Sequence, residues 1–277
     1  MTLCIIGGDE RMKLLPQFLA EKCLAAQPQE TSRDELYSYL EILLARSDAV
    51  ILPIPMTRDG MALNAPHFSA KAELTKLLDM CKARNLPVLG GCVDDDLLRR
   101  CGNIYDYAAT ERFAARNARL TAEGTLSTMI AKSRDTLYGS KVLIIGGGRI
   151  ANALLPIIIP FTDDITIAAR RDEIRRQFEN TGAKAVDTAD LSLCGYDYII
   201  NTVPYTLISE SVLSTAKPNA IMFDLATKPC GIDFEAAKRL NIAAYSLPGV
   251  PGKCSPIAAA RVIADEIETI LKGIDIV

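Results

Sequence analysis

Residues 142–151 read VLIIGGGRIA and decide the fold of the second half of the chain. Four apolar residues typical of a buried parallel strand lead into three glycines, and a helix is predicted to begin near Arg149. The spacing is Gly-x-Gly-x-x-Ala. Gly146 permits a tight turn, Gly148 leaves room for a pyrophosphate, and Ala151 lets the helix pack closely on the strand. Because the first turn of such a helix offers backbone N–H groups to phosphates, the stretch predicts a dinucleotide site.

A pair of arginines follows the next predicted strand, at the position that distinguishes NAD from NADP. The strand is 165–169, ITIAA, and Arg170 and Arg171 come directly after it. An NAD site usually carries Asp or Glu here for the ribose 2′-hydroxyl, whereas guanidinium groups suit a 2′-phosphate. We therefore expect NADP as the cofactor, with NAD as the alternative. The competing interpretation is a solvated first turn of helix.

The residues that follow two later predicted strands, Thr202–Pro204 and Asp224–Ala226, are expected to border the same cofactor. The reason is that ligands of open parallel sheets bind at the carboxyl ends of the strands. The competing interpretation of each is an ordinary polar strand end. The expected cofactor-binding residues are Gly146, Gly148, Arg149, Ile150, Arg170, Arg171, Thr202, Val203, Pro204, Asp224, Leu225 and Ala226.

Short apolar runs alternate with amphipathic stretches along the whole chain, which is typical of parallel α/β sheets. A long helical pattern over 108–132 separates two such series, and Pro156 is expected to kink or end the helix after the glycine turn. We expect an N-terminal α/β domain over 1–108, a bridging helix over 109–135, a nucleotide-binding domain over 136–250 and a C-terminal segment over 251–277. The last of these carries a helix that is expected to pack back on the N-terminal domain.

Composition excludes several classes of function. The chain has 277 residues, of which 49% are hydrophobic and 23% charged, and its net charge is −3. This balance gives no indication of binding to nucleic acid or an anionic membrane. The longest apolar run is too short to cross a bilayer, and the N-terminus lacks the pattern of a signal peptide. We therefore expect a cytoplasmic protein with no nucleic-acid or membrane partner.

Cysteine and histidine usage argues against a metal centre. The eight cysteines include no C-x-x-C pair, and His67 is the single histidine. The spacings of zinc and thioredoxin-like sites are therefore missing, and a histidine-rich site is excluded. We expect no metal site, and we expect His67 to be a surface or packed residue without a titrating role.

Eight short motifs occur together in this chain. They are Gly7-Gly8-Asp9-x-Arg11, Glu123-Gly124-Thr125, Gly139-Ser140-Lys141-Val142, Gly146-x-Gly148-Arg149, Ala169-Arg170, Asn201-Thr202-x-Pro204, Asp224-Leu225-Ala226 and Pro248-Gly249-x-Pro251-Gly252. In combination they resemble the dipicolinate synthase A family over most of the chain. The glycine turn alone is shared with many dehydrogenases, so the first, second and last motifs carry the resemblance.

The resemblance implies a flavodoxin-like N-terminal domain beside a Rossmann NAD(P)-binding domain. Together with the preference for NADP drawn from Arg170 and Arg171, it implies an NADP-dependent oxidoreductase that acts with a flavoprotein-like partner, dipicolinate synthase B. The pair would oxidise dihydrodipicolinate to dipicolinate, in dipicolinate biosynthesis for the spore core during sporulation. A homo-oligomer is also expected.

A dicarboxylate substrate calls for cationic partners, and loss of a proton calls for an acceptor. The basic residues nearest the predicted cleft loops are Arg11, Lys228 and Lys253, and the candidate acceptors are Asp9, Glu123 and Asp224. No spacing selects one of them, and Asp9 could equally be a helix cap. The expected catalytic residues are Asp9, Glu123 and Lys228. The expected substrate-binding residues are Gly8, Arg11, Thr125, Pro248 and Gly249.

Two other functions remain open. A D-2-hydroxyacid dehydrogenase shares the two-domain plan but uses a histidine base late in the chain, and residues 248–255 contain none. A non-catalytic NADP-binding subunit or sensor would keep the glycine turn and show no turnover.

Overall fold

A computed structural model describes residues 1–26, 32–226 and 229–274. The chain divides into two compact units. The first comprises Met1–Asn117 and Ser255–Val277, and the second comprises Ala118–Cys254.

Parallel strands and flanking helices make up both units. The strands are β1 (Thr2–Ile5), β2 (Lys22–Ala25), β3 (Ala49–Ile51), β4 (Val88–Gly90), β5 (Ile104–Asp106), β6 (Val142–Ile145), β7 (Ile165–Ala168), β8 (Lys184–Val186), β9 (Tyr198–Asn201), β10 (Ile221–Asp224) and β11 (Ala243–Ser246). The helices are α1 (Glu10–Leu14), α2 (Arg33–Leu44), α3 (Leu74–Ala83), α4 (Asp95–Cys101), α5 (Glu111–Lys132), α6 (Arg149–Ile158), α7 (Asp172–Glu179), α8 (Glu210–Leu213), α9 (Phe234–Arg239), α10 (Val250–Cys254) and α11 (Pro256–Gly273).

The first unit has the strand order β2-β1-β3-β4-β5, with all neighbours parallel. Apolar side chains of α2 and α3 pack with those of the central strands in one buried cluster. This is the flavodoxin-like order, in which the direction of winding reverses between β1 and β3. Ligands of such folds bind outside the carboxyl ends of the two strands at that reversal.

The C-terminal helix α11 belongs to the first unit, where it packs against α1. Glu266 on α11 is 1% exposed and accepts hydrogen bonds from Arg112 Nε at 2.7 Å and Thr110 Oγ1 at 3.0 Å. A buried carboxylate is tolerated only when it is paired and hydrogen-bonded. These contacts therefore fix α11 against the start of α5.

The second unit has the strand order β11-β10-β9-β6-β7-β8, again all parallel. This is the Rossmann order, with β6 at its centre and the reversal between β6 and β9. All four residues of β6 are buried, as expected for a strand covered by helices on both faces. The predicted two-domain α/β class is confirmed.

The region before residue 48 contains only short elements up to β2. α1 ends at Leu14, and a 3-10 turn containing Pro16 follows it. β2 then occupies a stretch that showed no clear alternation. α2 begins with a capping box of Ser32 and Glu35, a signal that the sequence does contain. After the glycine turn, α6 runs through Pro156 and ends two residues later.

Gly124 lies where α5 comes closest to α10 in the second unit. A Cβ at this position would lie 2.4 Å from Val250 Cγ1 and 2.9 Å from Cys254 Cβ. Both distances are far below van der Waals contact. The Glu-Gly-Thr motif and the later Pro-Gly-rich motif are therefore linked by one close packing contact.

We predict that Gly124→Ala lowers the free energy of unfolding by about 1 kcal/mol. Alanine alone would favour the helix by about 0.5–1 kcal/mol, but overpacking against Val250 costs about 1–3 kcal/mol. Urea unfolding measures the difference. Ser127→Ala, at an exposed position of the same helix, is the control and should change little. A Gly124→Ala protein at least as stable as the wild type would refute the packing role.

Candidate functional site

The turn after β6 is built around Gly146, which has φ +103°. This conformation strongly favours glycine, and a Cβ would lie 2.2 Å from Thr202 Oγ1. The Thr202 hydroxyl donates a 2.9 Å hydrogen bond to the carbonyl of Ile145. The turn is therefore closed on the side of β9.

The next position in the motif is open instead. Gly148 is exposed, and a Cβ there would have no atom within 4 Å. Gly148 is the N-cap of α6 and supplies no capping side chain, and the first turn holds no acidic residue. The N–H groups of that turn and the space above Gly148 fit a pyrophosphate, because its oxygens could approach the backbone directly.

Gly147 has a structural role that the motif did not indicate. A Cβ at this position would lie 2.3 Å from Ile174 Cγ2 and 3.2 Å from Phe178 Cε2, both on α7. Ala151, the last residue of the fingerprint, is completely buried in the same core. These small residues let the turn, α6 and α7 pack closely.

The three arginines near the end of β7 differ in their contacts. Arg170 is exposed, and its side chain makes no hydrogen bond or ion pair within the described residues. Arg171 is also exposed and lies 3.2 Å from Glu173. Arg175 donates to the carbonyls of Ala169 and Arg170 and to the carboxylate of Asp187, at 2.8, 2.9 and 2.6 Å.

Arg175 therefore holds the backbone that carries Arg170. This role of Arg175 could not be predicted from the sequence, because nothing in the spacing distinguishes a structural arginine from a ligand-binding one. Of the three guanidinium groups, that of Arg170 has no competing partner among the described residues, so it is the best placed to meet an added phosphate.

The buried carboxylate of Asp224 joins the loops after β9 and β10. Asp224 is 0% exposed and accepts from Asn201 Nδ2 at 2.8 Å and from the backbone N–H groups of Ala226, Gly231 and Ile232 at 3.0, 2.8 and 3.2 Å. These donors satisfy both carboxylate oxygens from within the protein. Asp224 was expected to contact the cofactor. Its hydrogen bonds support a different role, which is to hold the loops after β9 and β10 in position.

Asn201 extends this network to the neighbouring loop. Its amide group donates to the carbonyl of Val203 at 2.9 Å and accepts from the N–H of the same residue at 3.2 Å. Val203 also lies beside the glycine turn, because a Cβ on Gly146 would be 2.9 Å from its Cγ2. The structure thus brings together Gly146, Thr202 and Val203 at the carboxyl ends of β6 and β9.

The other expected cofactor residues vary in exposure. Arg149 and Pro204 are exposed and Ile150 is half-buried. Leu225 and Ala226 are buried at 8% and 7% exposure, so they would offer mainly backbone groups to a ligand.

In the first unit, Asp9 and Arg11 form a closed pair at the carboxyl end of β1. Asp9 is the N-cap of α1, and it accepts from Arg11 Nε and Nη2 at 2.8 Å each. Arg11 is 7% exposed and also donates to the carbonyl of Ile54 at 2.9 Å. Burial raises the pKa of Asp9, but the hydrogen bonds and charge of Arg11 outweigh it and hold that pKa below its usual value. A carboxylate with a lowered pKa is a weak proton acceptor.

Gly8 is enclosed by protein atoms as well. Its N–H donates to the carbonyl of Asn64 at 2.7 Å, and a Cβ would lie 2.1 Å from Met12 Cγ. With φ +88°, this position favours glycine for backbone reasons as well as for space.

The remaining expected site residues belong to the second unit. Glu123 is exposed on α5 and has no partner within the described chain, whereas Thr125 is completely buried and donates to the carbonyl of Thr121. Pro248 and Gly249 are exposed. Lys228 lies outside the described residues.

His67 is exposed in the first unit. In the described ranges, no group of three or more His, Cys, Asp or Glu side chains is arranged to hold a metal ion. Across those same ranges, every helix is too short or too polar to cross a membrane.

Comparisons with known proteins agree along the length of the chain. A family model described as the N-terminal domain of dipicolinate synthase A matches residues 2–105. Dipicolinate synthase A of Bacillus subtilis (strain 168) is 29% identical over 290 residues, which cover 99% of this chain and 97% of the relative.

Solved structures share the fold at lower identity. Dipicolinate synthase A from Bacillus halodurans gives a TM-score of 0.82 at 24% identity, covering 98% of this chain and 97% of the other. The apo-structure of D-lactate dehydrogenase from Escherichia coli gives 0.66 at 15% identity, covering 99% and 98%. These likenesses show that the fold is shared over nearly the whole chain.

We predict that Gly148→Val abolishes dinucleotide binding while the protein stays folded. The free protein has space for the side chain, and loss of a glycine N-cap should cost about 1 kcal/mol or less. Calorimetric titration with NADPH and NADH, together with urea unfolding, measures both effects.

The matched variant is Gly146→Ala, which should lower the free energy of unfolding by about 1–3 kcal/mol because its φ is positive. Unchanged cofactor affinity in a folded Gly148→Val protein would show that the pyrophosphate does not lie above this residue.

Proposed function

Because this chain is related to dipicolinate synthase A over nearly its whole length, we propose that it is an NADP-dependent oxidoreductase that converts dihydrodipicolinate to dipicolinate. The observation that carries the proposal is the open glycine position at the start of α6. It fits a pyrophosphate within a fold shared with dehydrogenases. The proposal also includes four expectations drawn from the sequence. They are a cytoplasmic location, a homo-oligomer, a flavoprotein-like partner (dipicolinate synthase B) and a role in sporulation.

Oxidation of the dihydropyridine ring removes a hydride and a proton, and the gain of aromaticity drives the reaction. NADP⁺, when bound, supplies the hydride acceptor. The chain contributes binding and orientation. Backbone groups between Gly146 and Arg149 would hold the pyrophosphate, and Arg170 would hold the 2′-phosphate.

Asp224 and Asn201 would act one step further from the cofactor. Their hydrogen bonds fix Val203 and Ala226, which follow the ends of two neighbouring strands. Preorganised loops lose less entropy when a ligand binds. We therefore infer that this network sets the position of the nicotinamide end.

The proton acceptor is assigned by what each carboxylate already binds. Asp9 neutralises Arg11 and has a lowered pKa, whereas Glu123 keeps an exposed carboxylate without a partner in the described chain. Among the residues expected to be catalytic, Glu123 is therefore our candidate acceptor. Lys228 remains part of the proposal from its position in the sequence.

A 2-hydroxyacid dehydrogenase is the rival suggested by the shared fold. Its chemistry needs a histidine base beside the late strands of the nucleotide domain. Here α10 contains no histidine, and His67 is an exposed residue of the first unit. Dipicolinate formation would use the carboxylate of Glu123 as its proton acceptor, so the proposed reaction does not require a histidine base.

We predict that Arg170→Ala weakens NADPH binding about tenfold or more and leaves NADH binding nearly unchanged. Charge-assisted hydrogen bonds to a phosphate are worth about 1.5–3 kcal/mol, and NADH has no 2′-phosphate. Calorimetric titration with both cofactors measures the ratio. The control is Arg176→Ala, which removes an exposed arginine of α7 that pairs with Asp172. Equal losses for NADPH and NADH would refute the assignment to the 2′-phosphate.

We predict NADPH formation when the purified chain is incubated with dihydrodipicolinate and NADP⁺, measured with and without the dipicolinate synthase B-like partner. The Gly148→Val variant serves as the inactive control. NADP binding without turnover, even when the partner is added, would identify a non-catalytic binding protein and overturn the proposed reaction.

A further inference from the structure

The loop after β3 (residues 52–73), called the covering loop below, lies against the turn that follows β1 in the first unit. Gly7 packs against it so closely that a Cβ would lie 3.0 Å from Leu63 Cδ2 and 3.2 Å from the carbonyl oxygen of Asn64. The N–H of Gly8 donates to that same carbonyl. Since ligands of this fold type approach the end of the sheet at the reversal between β1 and β3, they would meet side chains of the covering loop.

Arg11 cannot serve as an open anion-binding group at this position. Its guanidinium already binds both carboxylate oxygens of Asp9 and the carbonyl of Ile54, and the side chain is buried. A second carboxylate would have to displace a bidentate ion pair. The cation available to a ligand must come from elsewhere.

Arg58 is an exposed cation on the covering loop. One of its side-chain atoms, Nε, is held by a hydrogen bond, which restricts the orientation of the guanidinium. Its Nε donates to Asn64 Oδ1 at 3.1 Å. Asn64 is 8% exposed, and it is held in turn by bonds from its Nδ2 to the carbonyl of Pro55 at 2.9 Å and from its N–H to the carbonyl of Met56 at 2.7 Å. The anchor for Arg58 is therefore itself rigid.

The two terminal amino groups of Arg58 make no hydrogen bond or ion pair with the described residues. Because Nε is already hydrogen-bonded, the two terminal amino groups remain as donors, and together they can bind both oxygens of one carboxylate. The entropy lost on binding is reduced, because Asn64 already restricts the side chain.

The acidic residues near Arg58 do not pair with its guanidinium, which therefore remains available to a ligand. Asp59 accepts from the N–H groups of Met61 and Ala62 and from the Thr57 hydroxyl, so its carboxylate stabilises the turn. Asp9 is near enough for the charge of Arg58 to contribute to its lowered pKa, but its oxygens are bound by Arg11.

We propose that Arg58 binds one carboxylate of the dicarboxylate substrate and that Asn64 is the positioning residue that orients it. The identity of the substrate rests on the proposed function. The binding role rests on the geometry of the first unit.

The test is equilibrium binding of dipicolinate, the product, and of picolinate, which has one carboxylate fewer, to the full chain by calorimetry. Arg58→Ala should weaken dipicolinate binding roughly 10- to 100-fold and bring its affinity close to that of picolinate. Arg58→Lys should restore only part of the loss, because an ammonium group lacks the fork. Arg46→Ala, at an exposed arginine of the same unit whose side chain has no described partner, should change nothing.

Unchanged dipicolinate affinity in Arg58→Ala would overturn the inference, and so would a wild-type chain that fails to bind dipicolinate at millimolar concentration. These outcomes are separable from failure of the proposed function. Arg58-dependent dipicolinate binding without turnover would retain this site and reject the reaction. Turnover by the wild-type chain, combined with unchanged dipicolinate binding in Arg58→Ala, would support the proposed reaction and reject the role of Arg58.

Discussion

The carboxyl edge of the second sheet depends on one buried charge, the carboxylate of Asp224. An ionised group removed from water is costly unless its oxygens are hydrogen-bonded, and here Asn201 and three backbone N–H groups supply the donors. The donors come from residues 2 to 23 positions away, so one side chain ties together the ends of two strands. Gly231 fits this arrangement only without a side chain, because a Cβ would lie 1.9 Å from Asn201 Nδ2.

The glycines of the nucleotide turn illustrate how one residue type meets different constraints. Gly146 is required by its positive φ and by Thr202, and Gly147 by the closeness of α7. Gly148 is under neither constraint, because the protein leaves its Cβ position empty. A glycine that the fold itself does not require is best explained by a ligand that approaches the backbone, which distinguishes a binding cradle from a tight turn.

The sequence predicted the architecture well where local patterns are strong and the site less well where contacts are distant. The apolar run before Gly146 was enough to predict a Rossmann unit. β2 is hard to recognise in the sequence, because an edge strand of four residues, none fully buried, shows little alternation. The internal role of Asp224 could not be predicted, since its partners are brought near only by the folded loops. The role of Asp9 could not be predicted for the same reason, because the motif does not reveal that Arg11 binds both of its carboxylate oxygens.

Arginine is used for two purposes in this chain, and the distinction depends on partners more than on exposure. Arg11 binds a carboxylate and one backbone carbonyl, and Arg175 binds a carboxylate and two carbonyls, so their donors stabilise the loops after β1 and β7. Arg170 and Arg58 lie on those stabilised regions or beside them and keep terminal donors that no described residue binds. In a chain of net charge −3, the overall charge does not favour the approach of anions. Under the proposed function, recognition of a phosphate or carboxylate would then come from individual guanidinium groups that the surrounding structure holds in place.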